Sequence, residues 1–201
     1  MGAFDFVTEE LGSALDYKRK RRKPAPRLWF AGIDPGKKGF VSIVDLTDRP
    51  SVILSEPMAV LDSGKGPNYD LPGMWRLIQR LQAESVVGVV LEQQHAYPGQ
   101  GVTSVFGLGY AYGMLSAMLT AAEVPFEIVH SSRWKKEMKI KGQGDDPKAR
   151  KKDGKRRSIS TCQGLYPDVD LRPTARARTP SNDKAESLLL ATYAGRHLVW
   201  N

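Results

Sequence analysis

Leu28-Trp29-Phe30-Ala31-Gly32-Ile33-Asp34-Pro35-Gly36 is the stretch that decides how this chain folds. Six residues without a polar side chain run straight into an acid and a turn. An apolar run of that length, with no alternation, is a strand buried on both faces. Val86-Val87-Gly88-Val89-Val90-Leu91-Glu92 repeats the arrangement, again closing on a carboxylate. Strands of this kind belong to a sheet with helices on both sides.

The remaining elements follow outward from these two. Pro35 to Gly39 makes a turn, and Phe40–Val44 and Ser51–Ser55 read as two further strands that complete a meander. Met74, Leu77, Ile78 and Leu81 share one face of a helix over 71–82. A long helix over 103–122, a fifth strand over 126–130 and a short helix capped by Ser131 come next. Helices over 156–165 and 181–196 close the chain. The expectation is an α/β fold with a five-stranded mixed sheet, a three-strand meander plus two strands, and helices on both faces. Residues 139–154, rich in Gly, Lys and Asp, read as a mobile segment. Residues 1–27 read as a disordered arm, acidic and then basic, ahead of one domain over 28–201.

The chain has 201 residues, 41% of them hydrophobic, which suffices for a core. Its single cysteine, Cys162, excludes an internal disulfide, and three histidines do not make a zinc cluster. The net charge of +8 is unevenly placed. Residues 18–27 hold seven bases and no acid, and residues 133–157 hold twelve bases against four acids. Two basic segments on a mildly acidic body point to a polyanion, most simply nucleic acid. Residues 96–122 carry no charge, but Tyr97-Pro98-Gly99-Gln100-Gly101 interrupts the run. A buried helix, with Phe106 in the core, is expected there instead of a membrane span.

Asp34 and Glu92 each end an apolar strand. If those strands are neighbours, both carboxylates emerge at one sheet edge, where ligand sites of open α/β sheets collect. Two acids held together repel unless a cation lies between them, and a hard divalent ion suits oxygen ligands. Asp183 and Glu186 stand three apart at the start of the last helix, hence on one face. Either they serve as cap and dipole partners, or they complete a four-carboxylate set. Such a set can hold two Mg²⁺ ions, which activate water and stabilise the leaving oxygen of a phosphodiester.

Gly32-Ile33-Asp34-Pro35-Gly36-Lys37-Lys38-Gly39 resembles the first motif of RuvC-type Holliday junction resolvases. Val90-Leu91-Glu92-Gln93 resembles their second, and Asn182-Asp183-Lys184-Ala185-Glu186-Ser187-Leu188-Leu189 their last. Tyr97-Pro98, Trp134-Lys135 and the acid-Lys-Ala-Glu pattern look like the branch of chloroplast and phage resolvases. The resemblance implies an RNase H-like fold and a homodimer that cuts four-way DNA junctions symmetrically. It implies Mg²⁺, or Mn²⁺ in its place, two ions per site, on Asp34, Glu92, Asp183 and Glu186. Lys135 matches the family's basic residue at the scissile phosphate. The final Glu186 departs from the Asp usual in bacterial members, and the 139–154 insert is not typical of them.

Around this centre, Lys37, Lys38, Lys136, Lys155, Arg156 and Arg157 are candidate DNA contacts. His95 and Tyr97 fall in the loop that family members place at the junction centre, where a ring can stack on a base; Tyr97 could equally pack under its own loop. Gly107, Gly109 and Gly113 lie in a predicted helix, where each costs about 1 kcal/mol against Ala, so something should approach that backbone. Gly109 and Gly113 are candidates for a dimer contact, the alternative being packing on the protein's own sheet. His130 is expected to be a hydrogen-bonded structural histidine. A related nuclease acting on flaps, forks or RNA–DNA hybrids is the second reading. An architectural junction binder is a third; an actin-like ATPase lacks room for its second subdomain, so no nucleotide cofactor is expected. No secretory signal is visible, and Asp5, Glu9 and Glu10 argue against an organellar transit peptide. The expected location is the cytoplasm, at the nucleoid or as a phage product in its host.

Overall fold

The structure is a computed structural model that describes residues 27–62, 67–198 and 200. The arm expected over 1–27 lies, apart from Arg27, outside the described residues. Along the chain come β1 (Trp29–Ile33), β2 (Phe40–Asp45), β3 (Ser51–Pro57), β4 (Val60–Asp62), β5 (Pro67–Tyr69), α1 (Leu71–Ala83), β6 (Gly88–Gln93) and α2 (Val102–Ala121). They are followed by β7 (Phe126–His130), α3 (Ser131–Glu137), α4 (Pro147–Leu165) and α5 (Asn182–His197).

The main sheet has the order β3-β2-β1-β6-β7. β1 pairs antiparallel with β2 and parallel with β6, and β7 extends the parallel part. This is the α/β, RNase H-like arrangement expected, a meander plus two parallel strands. Strand alternation divides the core. Ala31, Ile33, Val89 and Leu91 face α1 and α2, packing with Met74, Ile78, Leu115 and Leu119. Phe30, Val90 and Val129 face the opposite layer, with Trp134, Cys162, Leu188 and Ala191 from α3, α4 and α5.

α5 seats on β1 backbone to backbone. A Cβ on Gly32 would stand 2.2 Å from the Ser187 carbonyl oxygen and 2.4 Å from the Ala191 nitrogen. A chain of hydroxyls reinforces the contact. Ser42 on β2 lies 2.6 Å from Ser187 on α5 and 2.9 Å from Ser55 on β3, all by their side-chain oxygens. The helix that carries Asp183 and Glu186 is thereby pressed against the strand that ends at Asp34.

Several expectations are corrected. α2 is not a buried helix: only Ala111, Leu115 and Leu119 are buried, a single stripe at i, i+4, i+8. It is long and apolar enough to cross a membrane by length and composition alone. Absence of charge left its outer face apolar without supplying a covering layer. Phe106, expected in the core, is 75% exposed on that face, and Val102 is 86% exposed. Packing on the protein's own sheet does not explain the helix glycines, since among the described residues nothing lies within 4 Å of a Cβ built at Gly107, Gly109 or Gly113.

Residues 139–154 are not a mobile insert throughout. α4 begins at Pro147, and the Asp146 carboxylate accepts hydrogen bonds from the Lys148 and Ala149 amides. Asp followed by Pro is a capped helix start, and the Lys- and Arg-rich run after it favours helix. The β4–β5 hairpin was not anticipated, its strands being three residues each. His130, not Ser131, caps α3, accepting from the Ser132 amide.

Gly32→Ala is expected to destabilise the protein by about 3 kcal/mol or more, because neither backbone group it meets can move aside. Denaturant unfolding reads this directly; a loss below about 1 kcal/mol would contradict the backbone contact.

Candidate active site

Because β1 and β6 are parallel, with Ile33 beside Leu91, Asp34 and Glu92 lie at the same sheet edge. Alternation also sets their face. Phe30 and Val90 belong to the core layer under α5, so Asp34 and Glu92, an even number of residues further on, turn toward α5 as well. α5 starts there with Ser181 as its cap, the hydroxyl accepting from the Lys184 amide at 3.2 Å. Asp183 and Glu186 are thus not needed as caps.

Glu92 and Glu186 are buried, at 7% and 8% exposure. Each is held by specific donors. Trp134 Nε1 donates to Glu92 Oε1 at 3.0 Å. Lys135 Nζ donates to Glu186 Oε2 at 2.8 Å, and Ser158 Oγ to Glu186 Oε1 at 3.0 Å. α3 therefore delivers one donor to each buried glutamate from adjacent residues, and α4 adds a third.

The electrostatics report crowding. Burial, then the charges of Glu92, Glu186 and Asp183, push the Asp34 carboxyl well above the ordinary carboxylate range, against a weaker pull from Lys135. Glu92 is also raised, first by burial and then by Glu186 and Asp183, although Lys135 and the Trp134 hydrogen bond oppose this. For Lys135, burial works to lower the pKa, yet Glu186, Glu92 and Asp34 outweigh it and hold the ammonium above its ordinary value.

Among the described residues, no three His, Cys, Asp or Glu side chains are drawn together tightly enough to grip one ion as placed. The donor set nevertheless fits a hard divalent cation. Its donors are carboxylate oxygens, and Asp34 is destabilised as an anion by burial and by the other three, which is the strain a cation relieves. Cys162 takes no part: burial pushes its thiol up to about 12.

The other candidates distribute unevenly. A cleft of about 300 Å³ opens on Glu186 and Asn182 and is lined by Ser132, Lys135, Lys141 and Lys155 among others. Lys155 reaches it, whereas Arg156 and Arg157 turn away to Asp153, at 2.8 and 2.6 Å. Lys136 is exposed beside Lys135, and Lys37 and Lys38 are exposed in the turn after Asp34. Tyr97 does not pack under its loop and is 59% exposed. The His95 and His130 rings lie 4.6 Å apart, and His130 Nδ1 is 2.6 Å from Ser132 Oγ. Gly109 and Gly113 stand apart on the open face of α2. Trp134 and Ser158 as partners of the glutamates were missed. In the sequence Trp134 stands out only as part of the Trp134-Lys135 motif; Ser158, one turn before buried Cys162, is a buried polar residue on a basic helix and so needs a partner.

No protein-family model matches the sequence, and no curated protein matches it. Solved structures do. The Thermus thermophilus RuvC structure superposes with a TM-score of 0.54 at 19% identity, covering 84% of this chain and 94% of that one. T. thermophilus RuvC in complex with Holliday junction substrate gives 0.51 at 17% identity, covering 84% and 93%. The yeast mitochondrial Holliday junction resolvase Ydc2 gives 0.49 at 15%, covering 86% and 79%. The fold of this chain is that of RuvC.

A carboxyl raised in the folded state stabilises the fold fully below about pH 4, and that share is lost as pH climbs through its raised value. With divalent ions chelated, Tm should fall as pH rises above the ordinary carboxylate range, and Asp34→Asn should flatten the fall and raise Tm on its alkaline side. Parallel Tm profiles for the two proteins would contradict the crowding.

Proposed function

We propose that this chain is a structure-specific endonuclease of RuvC type that resolves four-way DNA junctions by paired, symmetric, metal-dependent hydrolysis. What supports this reading is that Glu92, Glu186 and Asp183 stand close enough to Asp34 for their charges to raise its carboxyl, with Lys135 bonded to Glu186. Asp34, Glu92, Asp183 and Glu186 would hold Mg²⁺, or Mn²⁺ in its place, two ions per site. So bound, the ions supply an activated water and charge neutralisation at the phosphodiester.

The protein's own groups do the positioning. Trp134 holds Glu92, and Ser158 holds Glu186, each in one orientation. The Lys135 ammonium stays charged across the physiological range and stabilises negative charge developing on the phosphoryl or leaving oxygen. Lys37, Lys38, Lys136 and Lys155 contact phosphates, as do Arg156 and Arg157 at the outer surface of α4. His95 and exposed Tyr97 stand on the loop after β6, where Tyr97 can stack on an unpaired base.

Symmetric cutting needs two sites related by a two-fold axis. The face of α2 bearing Phe106, Gly109 and Gly113 supports a homodimer: its glycines leave the helix backbone open to close approach, and its exposed side chains are apolar. The finer placement with chloroplast and phage resolvases rests on Tyr97-Pro98, Trp134-Lys135 and the Asp183–Glu186 pattern.

With Mg²⁺, the wild type should nick an immobile four-way junction at two symmetric positions. Asp34→Asn should bind the junction and not cut it, and Lys135→Ala should cut about 10²–10³-fold more slowly. Cutting by Asp34→Asn at the wild-type rate would refute the site. Faster cutting of flaps, forks or RNA–DNA hybrids would replace the junction with that substrate.

A further inference from the structure

Arg150, Lys151, Lys141 and Lys155 converge on the cleft of about 300 Å³ that opens beside Glu186. Among the described residues, none of the four is paired with a carboxylate. Three other bases of this region are held by acids: Arg156 and Arg157 hold Asp153, and Arg133 reaches Glu137 at 3.5 Å. Lys136, Lys139, Lys148 and Lys152 do not line the cleft. Asn182 also lines the cleft, and its buried Oδ1 finds no hydrogen-bond partner among the described residues. A half-turn of that carboxamide presents its NH₂ instead.

The wall is built, not draped. At one end the Ile140 and Lys141 amides donate to the Lys135 carbonyl at 2.9 and 3.2 Å, and the Ile140 side chain is fully buried. The loop is thus tied to the helix that carries Lys135. At the other end it closes on α4. The Asp153 carboxylate accepts from the Gln143 amide at 2.9 Å as well as from both arginines, and Gln143 Oε1 accepts from Arg157 at 2.9 Å. Between these ties, Gly142 crosses Gly154 so closely that a Cβ on Gly142 would stand 1.9 Å from the Arg150 carbonyl oxygen. Asp153 and its two arginines hold the outside of the clasp and leave four free cations on the inside. α4 in turn carries Ser158 to Glu186, so clasp and carboxylates form one connected unit.

We infer that the segment from Ile140 to Lys155 forms a phosphate subsite, in which Arg150, Lys151, Lys141 and Lys155 grip a backbone phosphate of the nucleic-acid strand beside the scissile one. The inference rests on the nuclease reading above and deepens it. A phosphodiester is an anion with two accessible oxygens, matched by a guanidinium fork and ammonium groups. Glu186 on the same wall would repel it, but its charge is engaged by Lys135 and Ser158. The subsite anchors the strand on one side of the carboxylates and so limits the register in which it can lie.

The test uses the full chain with Asp34→Asn, which holds its substrate uncut. Binding to a four-way junction and to a single-stranded oligonucleotide is measured by fluorescence anisotropy across a salt series, with phosphate-ethylation interference on the junction. The pair Arg150→Ala and Lys151→Ala should weaken binding about tenfold at moderate salt and lower the salt slope by about one. It should also erase interference at one phosphate per strand beside the carboxylates. Gly142→Ala should erase the same interference with every charge retained, because it displaces the wall. The alanine pair lies on exposed surface and carries the test if Gly142→Ala unfolds. Unchanged slope and interference in the pair would overturn the subsite, as would a chain that binds neither nucleic acid. Interference at this phosphate, with a wild-type chain (Asp34 intact) that cuts no nucleic acid in Mg²⁺, would keep the subsite and refute the nuclease reading.

Discussion

Three carboxylates bear electrostatically on a fourth at one edge of the sheet. Asp34 feels Glu92, Glu186 and Asp183 together, and burial removes the solvent that would screen them. A cluster of that kind costs stability in the isolated chain, so something else must keep it assembled. Lys135 is the part of the answer visible here: its ammonium bonds Glu186 and is itself held charged by the surrounding acids. One cation against four carboxylates leaves the centre under-compensated, and the other features of the fold serve to keep it so.

Three structural devices accomplish this. Parallel pairing of β1 and β6 brings Asp34 and Glu92 to one edge and one face. The absence of a side chain at Gly32 lets α5 lie against β1, which brings Glu186 over them. α3 then places consecutive residues on two different glutamates, Trp134 on Glu92 and Lys135 on Glu186. These contacts join residues 42 and 51 positions apart, so none is a product of local structure. The same α3 anchors the basic wall at Ile140 and Lys141, which couples the anionic centre to the cationic surface beside it.

Much of this was legible in the sequence. The two apolar strands ending in acids were visible because parallel, doubly covered strands admit no polar alternation, and an acid closing such a run has few roles. The i, i+3 spacing of Asp183 and Glu186 put them on one face before any fold was known. Other features were not legible, for identifiable reasons. A charge-free helix says that no stripe is solvated by charge; it does not say that a neighbour covers it, and the core does not extend to Phe106. The Lys-, Gly- and Asp-rich run before residue 155 has the composition of a loop, but Asp146-Pro147 is a helix start. Its order comes from Gly142 against Gly154 and from the Asp153 clasp, which are tertiary. Ser158 and Trp134 became functional partners only once α4 and α3 were placed.

In the proposed function Asp34, Glu92, Asp183 and Glu186 act as one cation-binding unit. Calorimetric titration of Mn²⁺ into the full chain, without DNA, tests it most directly. Saturable binding is expected, lost or weakened severalfold in each of Asp34→Asn, Glu92→Gln, Asp183→Asn and Glu186→Gln. Binding that persists at wild-type affinity in all four variants would contradict it.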